Sequence, residues 1–178
     1  MSLPLLIITA ILIKLDSKGP VFYNQQRMGY RDNPFKMYKF RSMRTDLNGK
    51  GFTSGTDNPR ITRVGKFIRK FRIDEISQFL NVLKGEMSII GPRPESLELS
   101  NWYEKEVHFF AYRHIVRPSI TGWAQVTRGY AAEVDGMNLK LQYDFYYIKH
   151  FSFWLDVLVV LKTIRTIVTG NIGSNTAR

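Results

Sequence analysis

Asp74 and Glu75 stand side by side just after Arg72, and further along the chain reads Gly91-Pro92-Arg93-Pro94-Glu95. Two adjacent carboxylates repel, so at a buried helix start they need nearby cations or a divalent metal to stay ionised. Magnesium suits such a pair, because it takes carboxylate oxygens, keeps waters and bridges substrate phosphates. An aspartate held this way can attack phosphorus, dividing a hard transfer into two displacements. Guanidinium groups beside it would stabilise charge on the transferring oxygens. The same two residues also fit a plainer role, Asp74 capping a helix and Glu75 complementing its dipole.

Other chemistries are poorly served. The 178 residues include no cysteine, which excludes thiolate catalysis and Cys-based zinc sites, and His108, His114 and His150 have no metal-ligand spacing. Neither G-x-x-x-x-G-K-[ST], nor G-x-G-x-x-G, nor a G-x-S-x-G elbow occurs. With 26 Lys and Arg against 15 Asp and Glu, the net charge of +11 calls for an anionic partner: nucleic acid, an acidic lipid surface or a phosphorylated small molecule. A 44% hydrophobic and 13% aromatic composition is too apolar for a disordered basic tail, and the length suits one domain.

Several elements must position these groups. Leu3 to Ile13 is an apolar run reaching roughly half of a ~30 Å hydrocarbon core, so it reads as a buried helix or a membrane-dipping one, not a span. Val21 to Arg27 and Phe35 to Arg41 flank a polar turn at Gly29 to Pro34 and predict a hairpin, with Lys39 and Arg41 on one face. Asn48 to Pro59 reads as a loop, and Ile61 to Phe71 as a basic amphipathic helix. Ile76, Phe79, Leu80 and Leu83 then recur at helical spacing, with Asp74 at the start and Gly85 as the stop.

Pro94 suits the first position of a helix running toward Phe110, Pro118 to Val126 predicts a turn and short strand, and Met137 to His150 a helix. Ser152 would cap a last helix ending at Gly170, whose stripe of Trp154, Val157, Leu158, Leu161, Ile164 and Val168 also contains Arg165. A cation on an apolar face is a defect in a water-soluble core but suits a helix lying on a bilayer. Core packing is the expectation for Trp102, Trp123, Trp154 and Tyr147, though the last two also suit headgroup level.

The strings Ile13-Lys14-Leu15-Asp16-Ser17-Lys18-Gly19-Pro20, Tyr38-Lys39-Phe40-Arg41-Ser42-Met43, Arg72-Ile73-Asp74-Glu75, Asn81-Val82-Leu83-Lys84-Gly85-Glu86-Met87-Ser88 and Ile90-Gly91-Pro92-Arg93-Pro94 occur in this order. They continue through Arg117-Pro118, Thr121-Gly122-Trp123-Ala124-Gln125-Val126, Tyr143-Asp144 and Ser152-x-x-x-Asp156. Taken together they resemble the bacterial sugar transferases, the monotopic phosphoglycosyl transferases of polyprenyl phosphate. Gly129-Tyr130 and Tyr143 to His150 are similar to the exopolysaccharide-initiating branch.

The resemblance implies transfer of a sugar 1-phosphate from a UDP-sugar to undecaprenyl phosphate at the cytoplasmic face of a bacterial inner membrane, with release of UMP and help from Mg2+. It makes Asp74 the nucleophile and Glu75 its partner in metal binding or proton handling. Arg93 would bind a phosphate, Lys39, Arg41 and Arg72 would join the anionic pocket unless they are solvated charges, and Asp144 and Asp156, like Glu86, match family positions whose role is either substrate binding or structural. Nucleic acid is not an expected partner, and the motifs do not fix the oligomeric state.

The expected fold is α+β: amphipathic helices around a small antiparallel hairpin. Residues 1–16 are the expected second limb of a re-entrant membrane helix and 17–178 the catalytic domain. In the family, further residues ordinarily precede the Ser2-Leu3-Pro4 break, so an inactive truncated transferase is one alternative. A basic module binding lipid or nucleic acid through Arg60 to Arg72 is another.

Overall fold

A computed structural model describes residues 3–44, 58–128 and 134–169. Most of the loop expected at Asn48 to Pro59, and the expectations for Ser2, Gly129-Tyr130 and Gly170, lie outside those residues. The chain falls into two compact units, Met1–Asn24 with Tyr38–Gln78 and Gln25–Met37 with Phe79–Arg178. Helices and a small antiparallel hairpin make it a mixed α and β protein, as expected.

In the first unit, helix α1 (Leu3–Asp16) is covered on one side only. Ile13 is buried with Phe40 and Ile68, and Leu6, Ala10, Val21, Val64 and Ile73 pack around them. Leu5, Ile7, Ile8, Ile11, Leu12 and Leu15 remain exposed. Strands β1 (Phe22–Met28) and β2 (Pro34–Phe40) form the hairpin, whose open end belongs to this unit and whose turn belongs to the other. Helix α2 (Arg63–Lys70) is the basic helix, capped by Thr62, whose hydroxyl accepts from the Gly65 N–H at 2.9 Å. The Asp16 carboxylate accepts from the Val64 N–H at 3.0 Å, placing negative charge at the positive end of the α2 dipole and joining α1 to α2.

The second unit contains helices α3 (Phe79–Leu83), α4 (Leu97–Glu106), α5 (Trp123–Arg128), α6 (Val134–His150) and α7 (Phe153–Thr169). Gly85, at φ +76°, follows α3 as the expected stop. Strands β3 (Ser88–Ile90) and β4 (Ser119–Thr121) pair in parallel, Ser88 opposite Ser119 and Ile90 opposite Thr121. At three residues each they are too short for alternation to announce them. Tyr103, Val107, Phe110, Met137 and Leu141 form the main core of this unit. Phe35, Met37 and Met87 form a smaller one with Val82 and Ile120.

Three boundaries differ from the sequence expectation. Helix α4 starts at Leu97 rather than Pro94, because the Ser96 hydroxyl accepts from the Leu99 N–H and Ser96 itself is extended. It ends at Glu106, where Val107 turns extended and Phe109 adopts φ +63°, and a 3₁₀ turn covers Phe110–Ile115. Residues Trp123 to Val126 are helical, not strand.

The apolar stripes of α3 and α7 are left largely uncovered, and Trp102 and Trp154 depart from the expected core packing. On α7 it is Val159 that is buried, while Trp154 is 77% exposed and Leu158, Leu161, Ile164 and Val168 also face outward. Trp102 is exposed too, while Tyr147 is buried as expected. Phe79, Leu80 and Leu83 of α3 are likewise exposed, Leu83 at 84%. Periodicity locates an apolar face but not what covers it. Among the described residues, no helix is long and apolar enough to cross a membrane.

Candidate active site

The carboxylate pair sits on a 3₁₀ segment, Ile73–Gln78, not at the start of an α-helix. The chain enters it through Arg72 at φ +53°, a left-handed conformation that L-residues other than glycine adopt at a cost. Arg72, just before the segment, sets its guanidinium 3.4 Å from Glu75 Oε2. The buried Ser77 hydroxyl donates to the Tyr38 carbonyl at 3.0 Å and fastens the segment to β2. That contact brings in the next residue on β2, Lys39, whose Nζ stands 3.6 Å from Asp74 Oδ2 and 3.6 Å from Glu75 Oε1.

Asp74 and Glu75 are only 6% and 8% exposed. Two nearly buried anions thus share one bridging ammonium, and one of them also meets a guanidinium. In so little water the attraction between Lys39 and the two carboxylates is screened weakly, and at 3.6 Å it leaves their oxygens available as donors. Their donor set fits a magnesium ion, which needs only one or two carboxylates from the protein. Among the described residues no group of three or more acidic or histidine side chains converges on a common point.

Arg41, expected on the same face as Lys39, is 3% exposed. Strand β2 stops at Phe40, and the Arg41 guanidinium turns back to donate to the Ser17 and Lys18 carbonyls at 2.7 and 3.0 Å and to the Ser17 hydroxyl at 2.9 Å. It closes the end of α1, where unpaired carbonyls attract cations.

In the second unit, Arg93 is partly exposed, and its guanidinium donates to the Ile120 carbonyl at 2.9 Å. Asp144 is 2% exposed and meets the Arg113 guanidinium at 2.9 Å. Complete burial pushes its carboxyl pKa up, against the pull of Arg113 and Lys140. Asp156, in the first turn of α7, accepts from the Tyr147 hydroxyl at 2.7 Å. Burial and then that carboxylate push the Tyr147 phenol above its usual range. Glu86 accepts from Asn81 at 2.7 Å, and Arg117 is exposed with its guanidinium 5.9 Å from the Tyr30 ring. Lys39 and Arg72 thus join the dyad, whereas Arg41, Asp144 and Asp156 are engaged in holding local structure.

Arg113, Lys140, Ser119 and Arg27 carry no motif signal on their own, and their roles emerge only from contacts distant in sequence. Arg113 joins Asp144 and, at 3.6 Å, Glu95, which also pairs with Lys140.

A buried acidic pair held by cations is an arrangement that group transfer to or from anionic substrates can use. Residues 1–170 match the family model for bacterial sugar transferases. The chain belongs to that family. It is 57% identical over 169 residues to the UDP-N-acetylgalactosamine-undecaprenyl-phosphate N-acetylgalactosaminephosphotransferase of Aeromonas hydrophila, covering 94% of this chain and 40% of that protein. It is 44% identical over 169 residues to the UDP-glucose:undecaprenyl-phosphate glucose-1-phosphate transferase of Xanthomonas campestris pv. campestris, covering 92% and 35%. Against the exopolysaccharide production protein PSS of Rhizobium leguminosarum bv. phaseoli it is 40% identical, covering 90% and 84%. The chain therefore spans two fifths or less of the first two relatives and most of the third.

Proposed function

We propose that this chain transfers a sugar 1-phosphate from a UDP-sugar to undecaprenyl phosphate through an aspartyl phosphosugar intermediate on Asp74, initiating an exopolysaccharide or related glycoconjugate. The observation that carries the reading is the Lys39 ammonium set 3.6 Å from each of two buried adjacent carboxylates, inside a family whose named relatives are such transferases.

An Asp74 oxygen attacks the β-phosphorus of the donor, the bond from that phosphorus to the bridging oxygen breaks, and UMP departs with the bridging oxygen. A phosphate oxygen of the lipid then attacks the same phosphorus, the acyl phosphate bond breaks, and Asp74 is returned as a carboxylate. Lys39 and Arg72 orient the dyad for the first attack. Asp74 and Glu75 would hold Mg2+, which when bound supplies positive charge to offset that of the diphosphate. Arg93 is the proposed phosphate contact.

The exposed apolar faces of α1, α3 and α7 support seating at the cytoplasmic surface of the bacterial inner membrane. Basic side chains exposed on α2 would meet lipid phosphates there. A purely basic binding module is disfavoured, since it has no use for a buried carboxylate pair.

The test is UMP release by the purified chain in detergent with undecaprenyl phosphate and a panel of UDP-sugars, beginning with UDP-N-acetylgalactosamine and UDP-glucose. Lipid-dependent release with one donor is expected. No release with any donor, alongside salt-sensitive binding to generic polyanions, would overturn the proposal.

A further inference from the structure

The Gly91–Glu95 turn is anchored by its backbone to an unusual degree. Ser119 donates through its hydroxyl to the Gly91 carbonyl at 2.5 Å and through its N–H to the Pro92 carbonyl at 2.8 Å. Arg113 donates to the Arg93 carbonyl at 2.7 Å, Arg27 to the Pro94 carbonyl at 3.1 Å, and the Met28 N–H to the Glu95 carbonyl at 3.1 Å. Five consecutive carbonyls are therefore held by groups from separate stretches of chain. Two prolines fix their own φ, and Gly122 passes so close that an added Cβ would lie 1.9 Å from the Gly91 carbonyl oxygen.

Arg113 is the interior member of this set. It is 2% exposed and stacks over the Phe110 ring at 5.3 Å. Its fork faces Asp144 at 2.9 Å and Glu95 at 3.6 Å. Glu95 is two residues beyond Arg93, so Arg113 grips the turn at the Arg93 carbonyl and again at the Glu95 carboxylate. A buried ion network rarely adds much stability over apolar packing, which leaves geometric specificity as its better-attested use.

We propose that Arg113 is a positioning residue for Arg93, fixing the backbone from which the Arg93 guanidinium reaches a substrate phosphate; this rests on the proposed phosphate contact of Arg93. A planar fork holds a carbonyl and two carboxylates in one fixed geometry, whereas a lysine presents rotatable donors from a flexible stem.

The experiment is a double-mutant cycle read as UMP affinity by calorimetry on the purified chain in detergent, with folding checked by circular dichroism. Arg93→Ala is expected to weaken binding about 30-fold, as for loss of a charge-assisted contact. Arg113→Lys is expected to weaken it about 10-fold, and the double variant to bind like Arg93→Ala alone, because coupled residues are not additive. Asp144→Asn, which keeps shape but removes the anion orienting Arg113, should show a smaller loss that also vanishes in the Arg93→Ala background. It carries the test if Arg113→Lys does not fold.

Losses that multiply in the double variants, or Arg113→Lys and Asp144→Asn binding UMP as well as the unmodified chain, would overturn the positioning role while leaving Arg93 as a phosphate contact. Unchanged binding by Arg93→Ala would instead overturn the phosphate contact itself, and the positioning role with it.

Discussion

Glu95→Gln exchanges one buried oxygen for an amide of the same shape, so its effect is mainly electrostatic. Burial alone would raise the Glu95 pKa, but Lys140 and Arg113 outweigh it and hold the carboxyl at about 2, against an ordinary 4.5. The folded chain thus binds this proton more weakly than the unfolded one. The resulting stabilisation is complete above the unfolded value and is lost as pH falls from there through about 2. The gap between 4.5 and about 2, at about 1.4 kcal/mol per pH unit, corresponds to roughly 3 to 4 kcal/mol.

Asp144 acts with the opposite sign: burial raises its folded pKa, so its contribution is present below the unfolded value and fades as pH rises through the folded one. The negative charge of Glu95 is one of the causes of that rise, so Glu95→Gln relieves Asp144 and offsets part of the loss. The net destabilisation expected at pH 7 is between about 1 and 3 kcal/mol. Urea unfolding followed by circular dichroism, at steps from pH 7 to pH 2.5, should show the two chains far apart at neutral pH and converging below pH 4.5. A gap that stays constant across this range, or no gap at pH 7, would refute the reasoning.

Lys39→Gln should lower kcat by about 10- to 100-fold, since two carboxylates lose an ammonium 3.6 Å away in a weakly screened site, and Lys39→Arg should recover part of it. Turnover within twofold of the unmodified chain would count against Lys39 as the dyad's cation. Exchanging Leu158 and Leu161 together for Asp should leave the melting temperature nearly unchanged, as both are exposed, while reducing co-sedimentation with anionic vesicles several-fold. Undiminished sedimentation would remove α7 from the lipid-facing surface. EDTA should abolish UMP release and added Mg2+ restore it; activity that persists in EDTA would argue against the metal.

The parts of the site that could be read in advance are those written in contiguous residues. The acidic pair and the Pro-Arg-Pro turn are local strings, and the hairpin alternation put Lys39 on the face that meets the pair. The same alternation carried Arg41 along, because it gives no warning that β2 ends at Phe40 and the next side chain turns to the α1 carbonyls. Asp144 and Arg113 meet across distant stretches of sequence, and neither lies in a pattern that announces its partner. Helix periodicity found α2, α6 and α7, but it cannot distinguish a face covered by protein from one left open, and Arg165 was the one hint that the α7 stripe points outward. The 3₁₀ geometry of Ile73–Gln78 depends on Arg72 at positive φ, which its residue type does not favour.

The central claim is that the Asp74 carboxylate becomes esterified to phosphorus. Acid-quenched chain, incubated with its UDP-sugar donor in the absence of lipid phosphate, should yield by mass spectrometry a peptide carrying one sugar phosphate on Asp74. The adduct should disappear on adding undecaprenyl phosphate and never form in Asp74→Asn. An adduct on another residue, or full turnover by Asp74→Asn, would contradict it.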